Sequence, residues 1–454
     1  MVEQQAASAR RPSVITDEGV VAVTPGRYAA RLLHTLGRET VALPIHDERG
    51  AAALWAASGA MWLTGHPEGH GQRCAAPLAA AAQGAWLALS ALAPDKLDPA
   101  FDAYRLLGER AAIAGLTRRG RTSVGGSCHL LRARDGQFAL NLARDSDLEL
   151  LPAWLEAPVT DREAMIDMVA ERPVRELVER ARLLGLAAAR AIRPRGESRS
   201  WFRAHRVASP VPPLGRPPLV MDLGALWAAP LCAQILRQAG ARVVKVESIS
   251  RVDGARSGPT PFFDLLNGGK ESVALDLAIT SGRLALMQLL AAADIVVESS
   301  RPRALEQMGI CIETVLKSRP GKVWLSITGY GRRAPMRDWI GFGDDAGVAA
   351  GLSRLVGDRE SDLVFCGDAI ADPLTGLHAA LLALNEWQLG GGRLLDVSLA
   401  GVVRFAISGR GKSARSGAAV FEPREPIARE PKIRAAALGV DTTRVLREFA
   451  ARSH

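Results

Sequence analysis

Cysteines, aromatic residues and long hydrophobic runs are scarce in this chain of 454 residues. The five cysteines are widely scattered, with no C-x-x-C pair and no cysteine and histidine at metal-ligand spacing, which argues against a disulfide framework and a zinc site. No run of about 18 or more uncharged apolar residues occurs, and residues 1–16 are polar with two arginines. The pattern therefore predicts a cytoplasmic protein with no membrane partner.

The formal net charge is +9, yet the basic residues are dispersed among acids and only 5% of residues are aromatic. This distribution disfavours a nucleic acid partner, which would need a basic face with interleaved aromatics. A small polyanion, such as a nucleotide phosphate, fits the charge equally well. The length predicts two or three domains with ample core.

Strand and helix patterns alternate in the second half of the chain. A strand at 219–223, a helix at 225–239 and a strand at 242–247 form a β-α-β unit, and further strands are predicted at 272–277, 295–297 and 322–327. Such alternation predicts an α/β fold with an open, largely parallel Rossmann-like sheet that binds ligands at the carboxyl ends of its strands. The G-x-G-x-x-G fingerprint is missing, which disfavours a nicotinamide enzyme.

Asp372 precedes a turn-prone segment that opens an apolar helix through 379–384. A carboxylate at that place lies near the positive end of a buried helix, where it stays ionised and poorly solvated, as a nucleophile requires. An aspartate before an apolar run is also a common N-cap. The segment alone leaves both interpretations open.

Several motifs follow one another in order between residues 218 and 405. They are VMDL at 220–223, GARVVKVE at 240–247, DGAR at 253–256, NGGKESVALDL at 267–277, ADIVVE at 293–298, ITGYG at 327–331, and Asp372 with TGLH at 375–378. Together they resemble the class III CoA-transferase family, the CaiB/BaiF group. The resemblance implies acyl-CoA and a carboxylic acid as substrates, no permanently bound cofactor, no metal, and catalysis by Asp372 through an aspartyl-CoA thioester.

The resemblance implies further catalytic residues. Asp344 is a candidate for the family's secondary acid, although it is displaced by one residue from the family's position, and Gly125 with Gly126 is a candidate for its mobile glycine loop, with an ordinary β-turn as the alternative. Asp345 and Asp368 are expected to be solvated or to cap helices. No histidine stands in the segment Gly341-Phe342-Gly343-Asp344, where α-methylacyl-CoA racemases carry one. Since racemisation requires a second base, this disfavours the racemase.

The predicted CoA site departs from the family pattern. The asparagine and phenylalanine that usually contact CoA are replaced here by Ser299 and Ser300. Arginines pair well with phosphate, so neighbouring arginines are candidates to restore binding, although they could also only decorate the surface. The predicted cofactor-binding residues are Arg256, Lys245, Ser299, Ser300, Arg301, Arg303 and His378; the histidine is also typical of a packed helix residue.

The N-terminal region resembles a shortened, degenerate second copy. In that register Ala30 corresponds to Ala233, Gly84 to Gly376, and Ala80 stands in the place of Asp372. Chance similarity between alanine-rich helices is the alternative. The predicted divisions are this copy at 1–115, a small α+β domain at 116–192, a linker at 193–217, the CoA-binding catalytic domain at 218–405 and a C-terminal return segment at 406–454.

Family members usually form interlocked dimers, so the chain is expected to be a homodimer or an intrachain pseudo-dimer. Three functions remain open at this stage. The leading one is an acyl-CoA:carboxylate CoA-transferase, the second an acyl-CoA isomerase or racemase on the same scaffold, and the third a non-catalytic CoA-binding subunit.

Overall fold

The structure is a computed structural model that describes residues 23–194, 196–213, 215–356, 362–408 and 421–450. The polar segment 1–16 lies outside the described residues. The described strands are β1 (Cys128–Ala133), β2 (Gly136–Asn141), β3 (Ala187–Arg190), β4 (Phe202–Arg206), β5 (Leu219–Leu223), β6 (Arg242–Ser248), β7 (Glu271–Leu275), β8 (Ile295–Glu298), β9 (Val323–Thr328) and β10 (Arg393–Ser398).

The described helices include several short ones. They are α1 (Pro25–Thr35), α2 (Ala51–Ala57), α3 (Leu78–Leu92), α4 (Glu109–Ala114), α5 (Asp145–Glu149), α6 (Leu151–Leu155), α7 (Arg162–Ala170), α8 (Val174–Leu183), α9 (Ala228–Gln238), α10 (Thr260–Asn267), α11 (Thr280–Ala292), α12 (Pro302–Gln307), α13 (Ile312–Ser318), α14 (Gly343–Ala350), α15 (Ala371–Gln388), α16 (Leu399–Ser408) and α17 (Thr442–Ala450).

Seven strands form one sheet in the order β4-β10-β9-β8-β5-β6-β7. All neighbours pair in parallel except β4, which runs antiparallel to β10. The prediction of a largely parallel α/β sheet is confirmed. Strand β4 was not predicted, because it lies within the stretch 193–217 that proline and arginine made typical of a linker.

The chain reverses its direction across the sheet at β5. Strands β6 and β7 extend the sheet to one side of β5, whereas β8, β9 and β10 extend it to the other. The carboxyl ends of β5 and β8 therefore flank a topological switch point, which is where open parallel sheets bind ligands. Helix α15 leads into β10, so its first turn lies at this same edge of the sheet.

Helices cover both faces of the sheet, and α15 is buried on all sides. One face carries α9, α15 and α16, with α1 and α3 packed outside them; the other carries α11, α13 and α17. Fifteen residues of α15 are buried, and its stretch 379–384 is entirely apolar, as a helix packed on all sides requires. In the described part of the chain, no helix has both the length and the hydropathy needed to cross a membrane.

Helices α1 and α3 cross each other as α9 and α15 do. A Cβ on Gly84 of α3 would lie 2.7 Å from the carbonyl oxygen of Pro25, and one on Gly376 of α15 would lie 2.9 Å from that of Ala228. Pro25 and Ala228 correspond in the register of the predicted repeat, as do the two glycines. The repeat itself remains a prediction, and the stretch 38–50, where a copy of β6 would be expected, contains no strand.

We expect Gly84→Ala to destabilise the protein by roughly 1–3 kcal/mol, because the new methyl group would overlap Pro25 and the Tyr28 side chain at the close crossing. Urea unfolding would measure the change. Gly50→Ala is the control, since a Cβ at Gly50 meets nothing within 4 Å and should leave the midpoint nearly unchanged. Equal effects of the two substitutions would contradict a close crossing at Gly84.

A separate three-stranded antiparallel sheet, in the order β1-β2-β3, lies between the two helix pairs in sequence. Helices α6, α7 and α8 pack on it around Phe138 and Trp154. The two strands predicted within 121–140 are confirmed, and the turn that precedes β1 contains Gly125 and Gly126. The domain boundaries themselves remain a prediction.

Candidate active site

A strained turn places Asp372 in the first turn of α15. Gly367 and Ala369 have positive φ angles of 65° and 41°. This conformation is strained for Ala369, because an alanine has a Cβ and a glycine does not. The Asp372 N–H donates a hydrogen bond to the carbonyl oxygen of Ala369 at 2.8 Å, which closes the turn. Backbone strain of this kind persists where the surrounding structure enforces it, and it is common at functional sites. Asp372 itself is partly exposed.

Helix α14 brings Asp344 to the same turn. The Ala369 N–H donates to Asp344 Oδ1 at 3.0 Å. Gly343 lies against the other side of the turn, where any Cβ would overlap Asp372 Oδ2 and the Ala369 carbonyl oxygen. The structure therefore brings Asp372 and Asp344 together, as the sequence predicted.

Asp345 is buried and caps α14 by accepting a hydrogen bond from the Phe342 N–H at 2.9 Å. It also accepts from Tyr330 Oη at 2.5 Å and from Asn141 Nδ2 at 3.2 Å. The expected capping role is confirmed, but the side chain is not solvated. Its contacts join the small sheet to the large one beside the Asp344 carboxylate.

Asp368 is neither solvated nor a cap, which corrects the expectation from sequence. It is fully buried and pairs with Arg110 of α4, whose Nε donates to Asp368 Oδ2 at 2.8 Å and whose Nη2 donates to Oδ1. The Arg110 guanidinium lies 5.3 Å from the ring centroid of Trp227. Sequence reasoning missed Arg110 because it stands 258 residues from its partner and belongs to no motif.

Three carboxyl groups of this cluster, those of Asp344, Asp345 and Asp372, have raised pKa values. Burial, followed by the charges of neighbouring aspartates, raises the pKa of Asp344 to about 7 and that of Asp372 to about 7. Burial also raises the pKa of Asp345 to about 6. Arg110 opposes the rise in pKa for both Asp344 and Asp372. The charge of Asp344 is among the causes that raise the pKa of Asp372, so the two carboxyl groups interact.

The predicted glycine loop lies beside Arg110. Ser123 to Gly126 form a β-turn closed by a hydrogen bond from the Gly126 N–H to the Ser123 carbonyl oxygen at 2.8 Å. Gly125 is exposed, and a Cβ on it would lie 3.0 Å from Arg110 Nη2. Among the described residues, the Gly125 N–H has no hydrogen-bond acceptor. The turn therefore presents a backbone donor at the edge of the aspartate cluster.

Lys245 and Arg256, two predicted CoA ligands, have protein partners at the carboxyl end of β6. Lys245 is buried and donates to Asp253 Oδ2 at 2.8 Å and to the Gly224 carbonyl oxygen at 2.9 Å. Arg256 pairs with Glu247 at 2.5 Å. Asp253 also accepts from the N–H of Leu226, an exposed residue with a φ of 68°. These bonds fix the loop that follows β5.

Ser299, Ser300, Arg301 and Arg303 follow β8 on the other side of the switch point. Ser299 Oγ accepts from the Ala225 N–H at 3.2 Å, which ties this segment to the loop after β5. Burial, and then repulsion by Arg303, Arg144 and Arg251, lowers the pKa of Arg301. Among the described residues, the side chains of Arg301 and Arg303 make no hydrogen bond or ion pair. The arrangement is a basic cluster open to an anionic ligand.

His378 lies in the core of α15 rather than at the sheet edge. Its ring nitrogens contact Tyr28 Oη at 2.9 Å and the Leu374 carbonyl oxygen at 2.7 Å, and burial lowers its pKa to about 4. It is fully buried. In this position it links α1 to α15, and its buried side chain cannot contact CoA.

Residues 219–429 match the sequence model of CoA-transferase family III. This match confirms the family resemblance that the ordered motifs predicted. It begins at β5 and includes Asp344, Asp372 and every predicted CoA-binding residue. It excludes Arg110 and the glycine loop, which precede it.

The chain is also similar to curated proteins and solved structures over part of its length. It is 31% identical over 191 residues to a succinyl-CoA–D-citramalate CoA-transferase of Chloroflexus aurantiacus, covering 40% of this chain and 48% of that protein. It is 33% identical over 191 residues to the succinyl-CoA:glutarate CoA-transferase of Mus musculus, covering 40% and 44%. A crystal structure of a CaiB/BaiF family protein from Brucella suis is 27% identical over 43% of this chain and 55% of that one, with a TM-score of 0.38. The chain spans about half the length of the curated relatives it matches.

Proposed function

We propose that this chain, whose residues 219–429 belong to CoA-transferase family III, is an acyl-CoA:carboxylate CoA-transferase with Asp372 as its nucleophile. The observation that carries the proposal is the partly exposed Asp372 carboxylate, held by the Ala369 turn beside Asp344 and Arg110 at the ligand-binding edge of the sheet. An aspartate that only capped the helix would not need Asp344 and Arg110 beside it.

The reaction proceeds in two symmetrical halves. Asp372 attacks the thioester carbonyl, the carbon–sulfur bond breaks, and a mixed anhydride and CoA thiolate form. The thiolate then attacks the Asp372 carbonyl carbon, which releases the donor acid and leaves an aspartyl-CoA thioester. An acceptor carboxylate reverses these steps and regenerates free Asp372. Backbone donors such as the Gly125 N–H stabilise the oxyanions that form.

Asp344 keeps the site from carrying two full negative charges. Burial raises the pKa of Asp344 to about 7, and burial together with the charge of Asp344 raises the pKa of Asp372, so protonation of Asp344 favours ionisation of Asp372. A protonated Asp344 leaves Asp372 ionised for attack. It also reduces the repulsion that an incoming carboxylate meets.

The phosphates of CoA bind at the carboxyl ends of β5, β6 and β8. Arg301 and Arg303 supply positive charge, and neither has a hydrogen-bond or ion-pair partner among the described residues. Arg144 and Arg251 add their charges to those of this cluster. Ser299 and Ser300 contribute small polar contacts. This cluster replaces the aromatic and amide contacts that the motif lacks.

Trapping of the covalent intermediate tests the function. The protein is incubated with a panel of acyl-CoAs that begins with succinyl-CoA, because relatives carry that name, and hydroxylamine is added. Mass spectrometry should find a hydroxamate on Asp372. If none of the acyl-CoAs leads to labelling of Asp372 but the protein binds CoA tightly, the result would favour a non-catalytic CoA-binding subunit. Exchange of the α-proton without transfer would favour an isomerase.

The rate of transfer should depend on pH through the aspartate pair. Since the nucleophile must be ionised and its pKa is raised to about 7, kcat/KM should rise between about pH 5.5 and 8. In Asp344→Asn the neighbouring charge is gone, so the midpoint of this rise should move to lower pH. A pH profile of both proteins measures the shift. An unchanged midpoint would show that Asp344 does not interact with the nucleophile.

One chain supplies both sides of the site, so we propose an intrachain pseudo-dimer. Arg110 and Gly125 come from the part of the chain before the family match, and they lie beside Asp368 and the Asp372 turn of the part within it. Light scattering coupled to gel filtration should find an active monomer, or an oligomer whose specific activity does not fall on dilution. Activity confined to a homodimer would contradict the proposal.

A further inference from the structure

We infer that Arg110 binds the carboxylate of the acid that exchanges CoA with Asp372, which makes it the residue that selects carboxylate acceptors. The inference rests on the proposed transferase function. Arg110 uses Nε and Nη2 to hold Asp368, and among the described residues its Nη1 has no hydrogen-bond partner. Its side chain is 29% exposed, whereas Asp368 is fully buried. One end of the guanidinium is thus anchored and the other is free.

The free end lies where an acceptor must enter. Gly125 lacks a side chain at this place, and a Cβ there would lie 3.7 Å from Arg110 Nη1. Gly125 is exposed, so the space above Nη1 opens to solvent. The charges of Asp344 and Asp372 both act on Arg110. A ligand carboxylate bound to Nη1 would therefore lie near the nucleophile.

Charge makes such a contact necessary. The charges of Asp344, Asp345 and Asp368 all act on Asp372, so a negatively charged acid that attacks the aspartyl-CoA carbonyl meets several carboxyl groups. Arg110 is the cation whose charge acts on both Asp344 and Asp372. Arginine also matches a carboxylate geometrically, since its planar donors are directed outward in a fixed arrangement.

Anchoring by Asp368 prepares Arg110 for this role. The pair with Asp368, and the Trp227 ring 5.3 Å away, fix the guanidinium before any ligand arrives. The acid's carboxylate oxygen then forms a bond to the Asp372 carbonyl carbon while the bond to CoA sulfur breaks.

Exchange of a labelled acid into its own thioester tests the inference without knowledge of the natural acceptor. A donor that labels Asp372 in the wild-type protein is mixed with its ¹³C-labelled free acid, and the initial exchange rate is measured against acid concentration. In Arg110→Gln, KM for the free acid should rise about tenfold or more, as the loss of a charge-assisted contact implies. Labelling of Asp372 by hydroxylamine, a neutral nucleophile, is measured well above the Asp372 pKa of about 7, where Asp372 is ionised in both proteins. It should change by less than about threefold, because a neutral molecule needs no counter-charge.

Three variants separate acid binding from a structural role. Arg110→Lys keeps the charge and should give an intermediate KM for the acid. Arg105→Gln removes a neighbouring arginine that pairs with Asp102 at the surface and should leave KM unchanged. Asp368→Asn frees the guanidinium and should raise KM less than Arg110→Gln does. Equal losses of exchange and of hydroxylamine labelling in Arg110→Gln would overturn the inference, whereas absence of any Asp372 labelling in the wild-type protein would overturn the transferase function itself.

Discussion

Asp372→Asn should abolish CoA exchange, with a loss of at least about 10³-fold, because an amide oxygen cannot act as the nucleophile in acyl transfer. The exchange assay with a labelled acid measures the loss, and the hydroxamate on residue 372 should disappear with it. Asp396→Asn is not a suitable control, since that carboxylate fixes the Arg332 backbone. Asp98→Asn, at a surface turn in the N-terminal region, changes the charge equally and should leave exchange intact.

The same variant should be more stable than the wild-type protein at alkaline pH. The folded protein raises the pKa of Asp372 from 3.8 to about 7, so its protonated form favours folding at low pH and this contribution is lost as the pH rises through about 7. Asparagine carries no charge at any pH. The gain in Tm of Asp372→Asn should therefore be larger at pH 8 than at pH 5. A variant that is inactive and also less stable at pH 8 would have lost its fold rather than its nucleophile.

Gly343→Ala should reduce exchange by about 10²-fold, although residue 343 carries no reacting atom. The new methyl group would overlap Asp372 Oδ2 and the Ala369 carbonyl oxygen, so the nucleophile and its turn must move. Displacements of about 1 Å are enough for losses of this size in positioned reactions. The effect should appear mainly in kcat, because the proposed site for the CoA phosphates lies elsewhere.

Gly347→Ala provides a matched control for this prediction. Gly347 stands one turn further along the same helix, and its nearest neighbour to a new Cβ is the flexible end of Leu352 at 3.3 Å. It should retain most of the exchange activity and fold normally. If both alanine variants lost activity equally, the cause would be the helix rather than the approach of Asp372 to Gly343.

Sequence predicted the parts of this protein that depend on local pattern. The strands from β5 to β9 and the buried helix behind Asp372 followed from alternation and from apolar runs, and ordered motifs identified the family. Asp344 was brought to Asp372 as the resemblance implied.

What sequence missed depends on contacts between distant segments. Strand β4 forms because an arginine-rich and proline-rich stretch meets the free edge of β10, which no local pattern reveals. Asp368 looked like a solvated residue, since nothing near it in sequence shows that Arg110 will cover it. His378 follows Asp372 closely along the chain, yet the twist of the helix directs it into the core towards Tyr28.

The pair between Arg110 and Asp368 also affects how the protein is made. Its partners are 258 residues apart, so on the ribosome Arg110 can pair only after the chain has been synthesised through Asp368. Contacts of such long range form slowly, since the intervening chain must first be ordered. A growing chain that ends before Asp368 would therefore carry Arg110 without the carboxylate that holds it.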